Sequence, residues 1–153
     1  MPTYLPTSEL VACAWLDLYV ADVTAGMVAT TLPRDPATWA TNGFLQAQAI
    51  PGRLADVDLP RRLPVIQVDA WACNLNGNAP PWALAAQLAE RVRAATELPT
   101  QAWVGKALDL NKADYLDARV WAVYALTEPV RVLGDVSGYA RFTLDIAVDW
   151  VSA

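Results

Sequence analysis

Tyr139-Ala-Arg-Phe-Thr-Leu-Asp-Ile-Ala-Val-Asp-Trp-Val151 alternates side-chain character along nearly its whole length. Phe142, Leu144, Ile146, Val148 and Trp150 fall on one face of a pleated strand, and Arg141, Thr143, Asp145 and Asp149 on the other. So long an alternation means that one face packs on a core while the other is wet or lines a polar surface. Immediately upstream, Gly134-Asp-Val-Ser-Gly138 reads as a turn. Before it, Arg119–Thr127 and Val130–Leu133, separated by Pro129, are rich in β-branched, aromatic and small apolar residues. Together these segments predict a long C-terminal β-hairpin.

Working outward, Pro64–Ala72 is a second strand: Ile66, Val68, Ala70 and Ala72 face one way, and Val65, Gln67, Asp69 and Trp71 the other. Asn74-Leu-Asn-Gly-Asn78 is a turn cluster, and Pro80 and Pro81 suit a helix start. From Pro81 to about Thr96, Leu84, Leu88, Val92 and Ala95 form an apolar stripe opposite Glu90, Arg93 and Glu97. Near the other terminus, Thr7 can cap a helix running from Ser8 to about Ala21, with Glu9 in its first turn. Leu10, Ala14, Leu18 and Ala21 form its stripe, widened by Val11 and Trp15. Met27–Leu32 and Phe44–Ile50 read as shorter strands, Pro33–Pro36 as a turn, and Pro51–Arg62 as an exposed loop. Trp103–Tyr115 fits a short helix or a strand equally well. The order predicts a single α+β domain over residues 1–153, two-layered, with a mainly antiparallel sheet packed against helices.

Charged residues make up 18% of the chain and hydrophobic ones 55%. The charged share lies below the roughly 25% of ordinary soluble domains, the opposite of a disordered composition. The apolar excess and the seven Trp fit either a generous core filled by most of these Trp or surface that is covered only on assembly. The net charge of −5 gives no general attraction for nucleic acid, and the basic pairs Arg61-Arg62 and Arg91/Arg93 are too small for a binding footprint. Cys13 and Cys73 lie outside any CxxC spacing and read as buried thiols of a cytosolic protein. The apolar run Leu10–Val20 is broken by Asp17, follows no basic segment and is too short to span a bilayer.

The chain has no His, which removes imidazole base catalysis, Ser-His-Asp triads and His-ligated metal sites. The glycines stand apart and form no phosphate loop. Asp145 and Asp149, with Asp69 on a neighbouring strand, could serve as a metal or acid–base pair; a solvated sheet face or an acidic channel wall explains them more simply. Asn74, Asn76 and Asn78 have the alternation of a calcium loop without its first Asp or its twelfth-position Glu, and are read as turn residues. No catalytic residue, cofactor or metal is expected.

Pro64-Val-Ile-Gln-Val-Asp-Ala-Trp-Ala72, followed by the alanine-rich segment Trp82–Ala95, resembles the central part of the tail-terminator proteins of long-tailed bacteriophages. So does Glu128-Pro-Val-Arg-Val-Leu-Gly-Asp135 running into Gly138–Trp150. The likeness covers roughly residues 60–151 and lies in the order and spacing of elements. The stretch Arg34–Arg62 does not align. The resemblance implies a non-enzymatic virion protein of the tail or neck, assembled in the host cytoplasm. Such a subunit forms a hexameric ring, binds the last ring of the tail tube, ends its polymerisation and offers a surface to the head connector. DNA would pass through the lumen without specific binding, and no membrane is involved.

For the contacts between copies, exposed Trp and Arg are the residue types that anchor interfaces, and Trp39, Phe44, Arg61, Arg62 and Trp103 are the candidates. Thr143, Asp145 and Asp149 are the candidates for a lumen wall, where acidic side chains would repel phosphates. Competing readings are a head–tail connector or head-closure adaptor, another tail protein such as the tube subunit, and a small-ligand-binding α+β domain or enzyme.

Overall fold

A computed structural model describes residues 4–51, 61–97 and 104–152. In chain order the described elements are α1 (Ser8–Tyr19), β1 (Val28–Ala29), a 3-10 turn (Pro36–Thr38), β2 (Phe44–Ile50), β3 (Arg61–Arg62), β4 (Val65–Cys73), α2 (Trp82–Thr96), β5 (Ala107–Leu108), β6 (Ala118–Ala125), β7 (Val130–Val132) and β8 (Tyr139–Ser152). The architecture is α+β, as expected: one mixed sheet carries both helices on the same face. Its path is β1-β2-β4-β8-β6-β5; β1 runs parallel to β2, and every other pairing is antiparallel.

The alternating segment is β8, and it is the spine of the sheet. On one side it pairs with β4, from Cys73↔Tyr139 to Val65↔Ala147, and further along with β3 through Arg62↔Trp150. Pro64, which lacks an N–H, sits at the break between those two strands, and its carbonyl accepts from Val148 N at 3.2 Å. On the other side β8 pairs first with β7, through Val132↔Arg141, and then with β6, through Ala125↔Ile146 to Ala118↔Ser152. The expected long hairpin is present, its first arm divided into β6 and β7 on either side of Pro129. The register of β6 shifts between Val120 and Ala122, which places Trp121 in a bulge.

The helices cover the face formed by Leu45, Ala47, Ile66, Val68, Ala70, Leu144, Ile146, Val148 and Trp150. Each fully buried Leu, Ile or Val side chain there contributes roughly 1.5–3 kcal/mol. In α2 Leu88, Val92 and Ala95 of the expected stripe are buried, joined by Ala85 and Ala89 beside it, while Leu84 is half-buried. On its outer side Arg93 bridges Glu90 at 2.7 Å and Glu97 at 2.8 Å. In α1 the cap is as read, Thr7 Oγ1 accepting from Leu10 N at 3.3 Å. The helix stops at Tyr19, two residues early, because Val20 is extended and Asp22 adopts a left-handed backbone. Its buried face is Val11, Ala12, Trp15 and Leu16. Leu18, assigned to the stripe, is exposed. The large indole of Trp15 rotates the buried arc toward itself, since it removes more apolar area from water than Leu18 would.

Candidate functional site

The sheet face opposite the helices is where the sequence put its polar residues, and it divides into three zones. At the β2–β4 end, the irregular segment after β1 folds back over the sheet. Trp39 and Ala40 pack with Phe44, Trp71 and Cys73, flanked by Leu32 and Tyr139. Trp39 meets Tyr139 edge-on at 5.7 Å, and its Nε1 donates to Pro33 O at 3.3 Å. This corrects an expectation: Trp39 and Phe44 are 4% and 1% exposed. They are core residues of the chain and present no exposed anchor to a neighbour.

The middle zone is charged and hydrogen-bonded. Arg141 donates to both oxygens of Asp135 at 3.0 Å, approaches the Asp69 carboxylate at 3.5 Å and lies over the Trp71 ring, 4.8 Å from its centroid. Asp69, opposite Thr143 in the register, is buried and also accepts from Gln67 Nε2 at 3.2 Å. Trp71 Nε1 donates to Gln46 Oε1 at 3.1 Å. Asp145 is half-buried on the same face, opposite Gln67. Thr143 is half-buried too, and its hydroxyl oxygen is buried without a hydrogen-bond partner among the described residues. At the β6 end Trp121 and Tyr124 are exposed.

Asp149 departs from its expected role. Only 4% exposed, it is held by a bidentate ion pair with Arg61. A carboxylate so enclosed and neutralised cannot act as an open charge on a channel wall. Arg61 in turn is engaged in this pair, although its side chain as a whole remains about half in solvent. Arg62 belongs to the opposite face: its guanidinium lies 5.1 Å from the Trp150 ring centroid and donates to Pro6 O at 3.4 Å. Both arginines were expected in an exposed loop; pairing with β8 turns them into strand residues. Trp103 and residues 52–60 lie outside the described residues.

The most exposed large apolar side chains among the described residues, Leu133 and Val136, stand on a turn. Two turns sit side by side at one end of the sheet. Asn74 N donates to Gly138 O at 2.9 Å, and Gly138 has φ +84° with its Cα against the neighbouring turn. A Cβ there would meet Gly77 O at 2.9 Å and Asn74 O at 3.2 Å, so only glycine fits. Asn74 fixes its own turn, accepting from Asn76 N at 3.0 Å and donating to Ala79 O at 3.1 Å. From these turns Leu75, Leu133 and Val136 project into solvent, the last two 70% and 72% exposed. The signal was present: apolar residues inside Asn- and Gly-rich turns, where local geometry asks only for small or polar ones.

Among the described residues, no three acidic, Cys or His side chains stand close enough to hold a metal ion. An open groove of about 530 Å³ lies between the end of α2 and the β6–β7 connection, lined by Glu90, Arg93, Glu97, Leu126 and Glu128. Its Arg93 is already committed to Glu90 and Glu97. No described helix is long and apolar enough to cross a membrane.

The cysteines are not activated. Burial, and then the nearby Glu9 and Asp17 carboxylates, push the Cys13 thiol from 9.0 up to about 11. At pH 8 Cys13 of the folded protein is expected to stay unmodified by a disulfide reagent that labels the urea-unfolded chain, since the thiolate is the reacting form. The sign for stability follows from linkage: the unfolded chain loses this proton first, so the thiol's contribution falls from pH 9 to about 11. Full labelling of the folded chain at pH 8 would contradict this.

No family model matches the chain, and no curated protein matches it. Among solved structures, the chain is similar to one at 20% sequence identity over 96% of each chain, with a TM-score of 0.43, and further chains also match. The name of that structure states no activity.

Proposed function

We propose that the chain is a structural subunit that closes into a ring with copies of itself, caps the end of a phage tail tube and presents a surface for head joining. The observation that carries this reading is the pair of turns bearing Leu75, Leu133 and Val136. Three apolar side chains exposed on two adjoining turns offer the kind of surface that another protein covers. Their backbone is held in place by Gly138 and the Asn74 turn, so little ordering is required on contact. The resemblance in element order over roughly residues 60–151 supplies the kind of assembly. A contact between two different surfaces of identical copies generates a ring when its rotation closes. Growth then stops if the ring's far side lacks the surface that recruits another tube subunit. Asp145 remains the candidate for the acidic wall, without Asp149.

Assembly on tube ends, followed by electron microscopy and sedimentation velocity, tests this. The double variant Leu133→Asp/Val136→Asp is expected to weaken ring formation and tube capping by about a hundredfold or more. Its melting temperature should stay within about 2 °C of the parent, because both sites are solvated in the free chain. In infected cells lacking the protein, overlong or unjoined tails are expected. Normal tails with leaking heads would point to a head-closing adaptor instead. A chain that stays monomeric beside tube ends, with tails of normal length in its absence, would end the proposal.

A further inference from the structure

We infer that Arg141 is a positioning residue: its guanidinium is the strut that holds the turn 133–138, with Leu133 and Val136, in the orientation an assembling neighbour meets. This rests on the assembly reading above. The turn is tied at its far end to the neighbouring turn by Asn74 N donating to Gly138 O at 2.9 Å, and its two glycines leave the residues before that tie free to pivot. Its described internal tie is Tyr139 N donating to Val136 O at 3.1 Å. Arg141 joins its midpoint to the sheet. Two parallel hydrogen bonds at 3.0 Å fix Asp135, and the planar fork admits little rotation. The other end of the strut is anchored in the interior, at buried Asp69 and over Trp71. Those anchors are held in turn, Asp69 by Gln67 and Trp71 by Gln46 and the edge of Tyr139. The side chains of Arg141 and Asp135 are 23% and 19% exposed, so the pair is largely screened from solvent. Asp135 lies between the two exposed apolar residues, two positions after Leu133 and one before Val136. The strut therefore grips the turn where its grip sets the direction of both.

Hydrogen exchange by mass spectrometry, read on a peptide spanning residues 133–138 of the intact chain, tests the strut directly. Asp135→Asn keeps the shape and leaves the Arg141–Asp69 contact in place. It is expected to speed exchange in this peptide about tenfold while peptides of β4 and β8 are unchanged. Asp135→Glu, which keeps the carboxylate, is expected to restore most of the protection. In the capping assay Asp135→Asn should require about tenfold more protein for the same occupancy. Exchange as fast in the parent as in Asp135→Asn would overturn the inference, and so would a loosened turn that still assembles at the parent's concentration. A parent chain that shows the protected turn but never assembles would sink the ring reading while leaving the strut standing.

Discussion

Replacing Trp150 with alanine is expected to cost about 3–5 kcal/mol of folding stability, the usual range for deleting a buried aromatic side chain. The size follows from what converges on the indole. Trp150 is buried near the end of the central strand, opposite Val120 on β6 and Arg62 on β3. Its Nε1 donates to Ser8 Oγ at 3.1 Å, which ties the first turn of α1 to the sheet. The guanidinium of Arg62 lies over the ring and reaches back to Pro6 O. Alanine opens a cavity at a point where a helix, the short β3 and the spine all meet, and it leaves Arg62 with only its backbone contact. The melting temperature should fall by about 10 °C or more for a chain of this size. Urea unfolding followed by far-ultraviolet circular dichroism measures it. Trp150→Phe keeps most of the apolar volume and should lose less than half as much. A loss under about 1 kcal/mol for the alanine variant would place the residue among the surface class and contradict its burial.

The second large effect is expected from the smallest change, Gly43→Ala. Gly43 has φ +83°, where an L side chain is strained by about 1–2 kcal/mol. A Cβ would also stand 2.9 Å from the carbonyl oxygen of Trp71 and 3.0 Å from Leu88 Cδ2. The first of these is backbone in β4 and cannot step aside, so the start of β2 must move instead. Strain and displacement together should cost about 2–4 kcal/mol. Gly26 is an internal control: it also has a positive φ, but no atom lies within 4 Å of where its Cβ would be. Gly26→Ala should lose only the strain term. Equal losses in the two variants would show that the close approach to β4 contributes nothing.

The alternation in β4 and β8 and the stripe of α2 could be read directly, because each rests on a period that a single segment carries by itself. The short β1 falls within Met27–Leu32, which reads as a strand, but the two-residue β3 falls in a stretch that reads as a loop, and β5 in one that fits a helix as well as a strand. A pair of residues has no period, and those strands exist only because a longer neighbour offers hydrogen-bonding partners. The burial of Trp39 and Phe44 was hidden for a related reason. Two-sided coverage of the sheet depends on residues 30–43 folding back across β2 and β4, and no local pattern encodes that return. Asp149 shows the limit of alternation itself. Period two assigns a residue to a face, but whether that face is wet depends on what lies above it, here an arginine 88 positions earlier. The exposed apolar side chains of the two turns could have been noticed, since Leu75 and Val136 contradict the composition of the turns that hold them.

The central place of β8 also has a consequence for biosynthesis. It is the last described strand to leave the ribosome, yet β4 and β6 both need it as their partner. Until it emerges, the nascent chain carries two strand edges with unmet backbone groups and an apolar face only partly shielded by the helices. Neither strand can settle early, so commitment to the native topology is deferred to one late, cooperative event built on long-range pairing. A premature stop anywhere in β8 would therefore release a polypeptide suited to aggregation rather than a shortened but folded subunit.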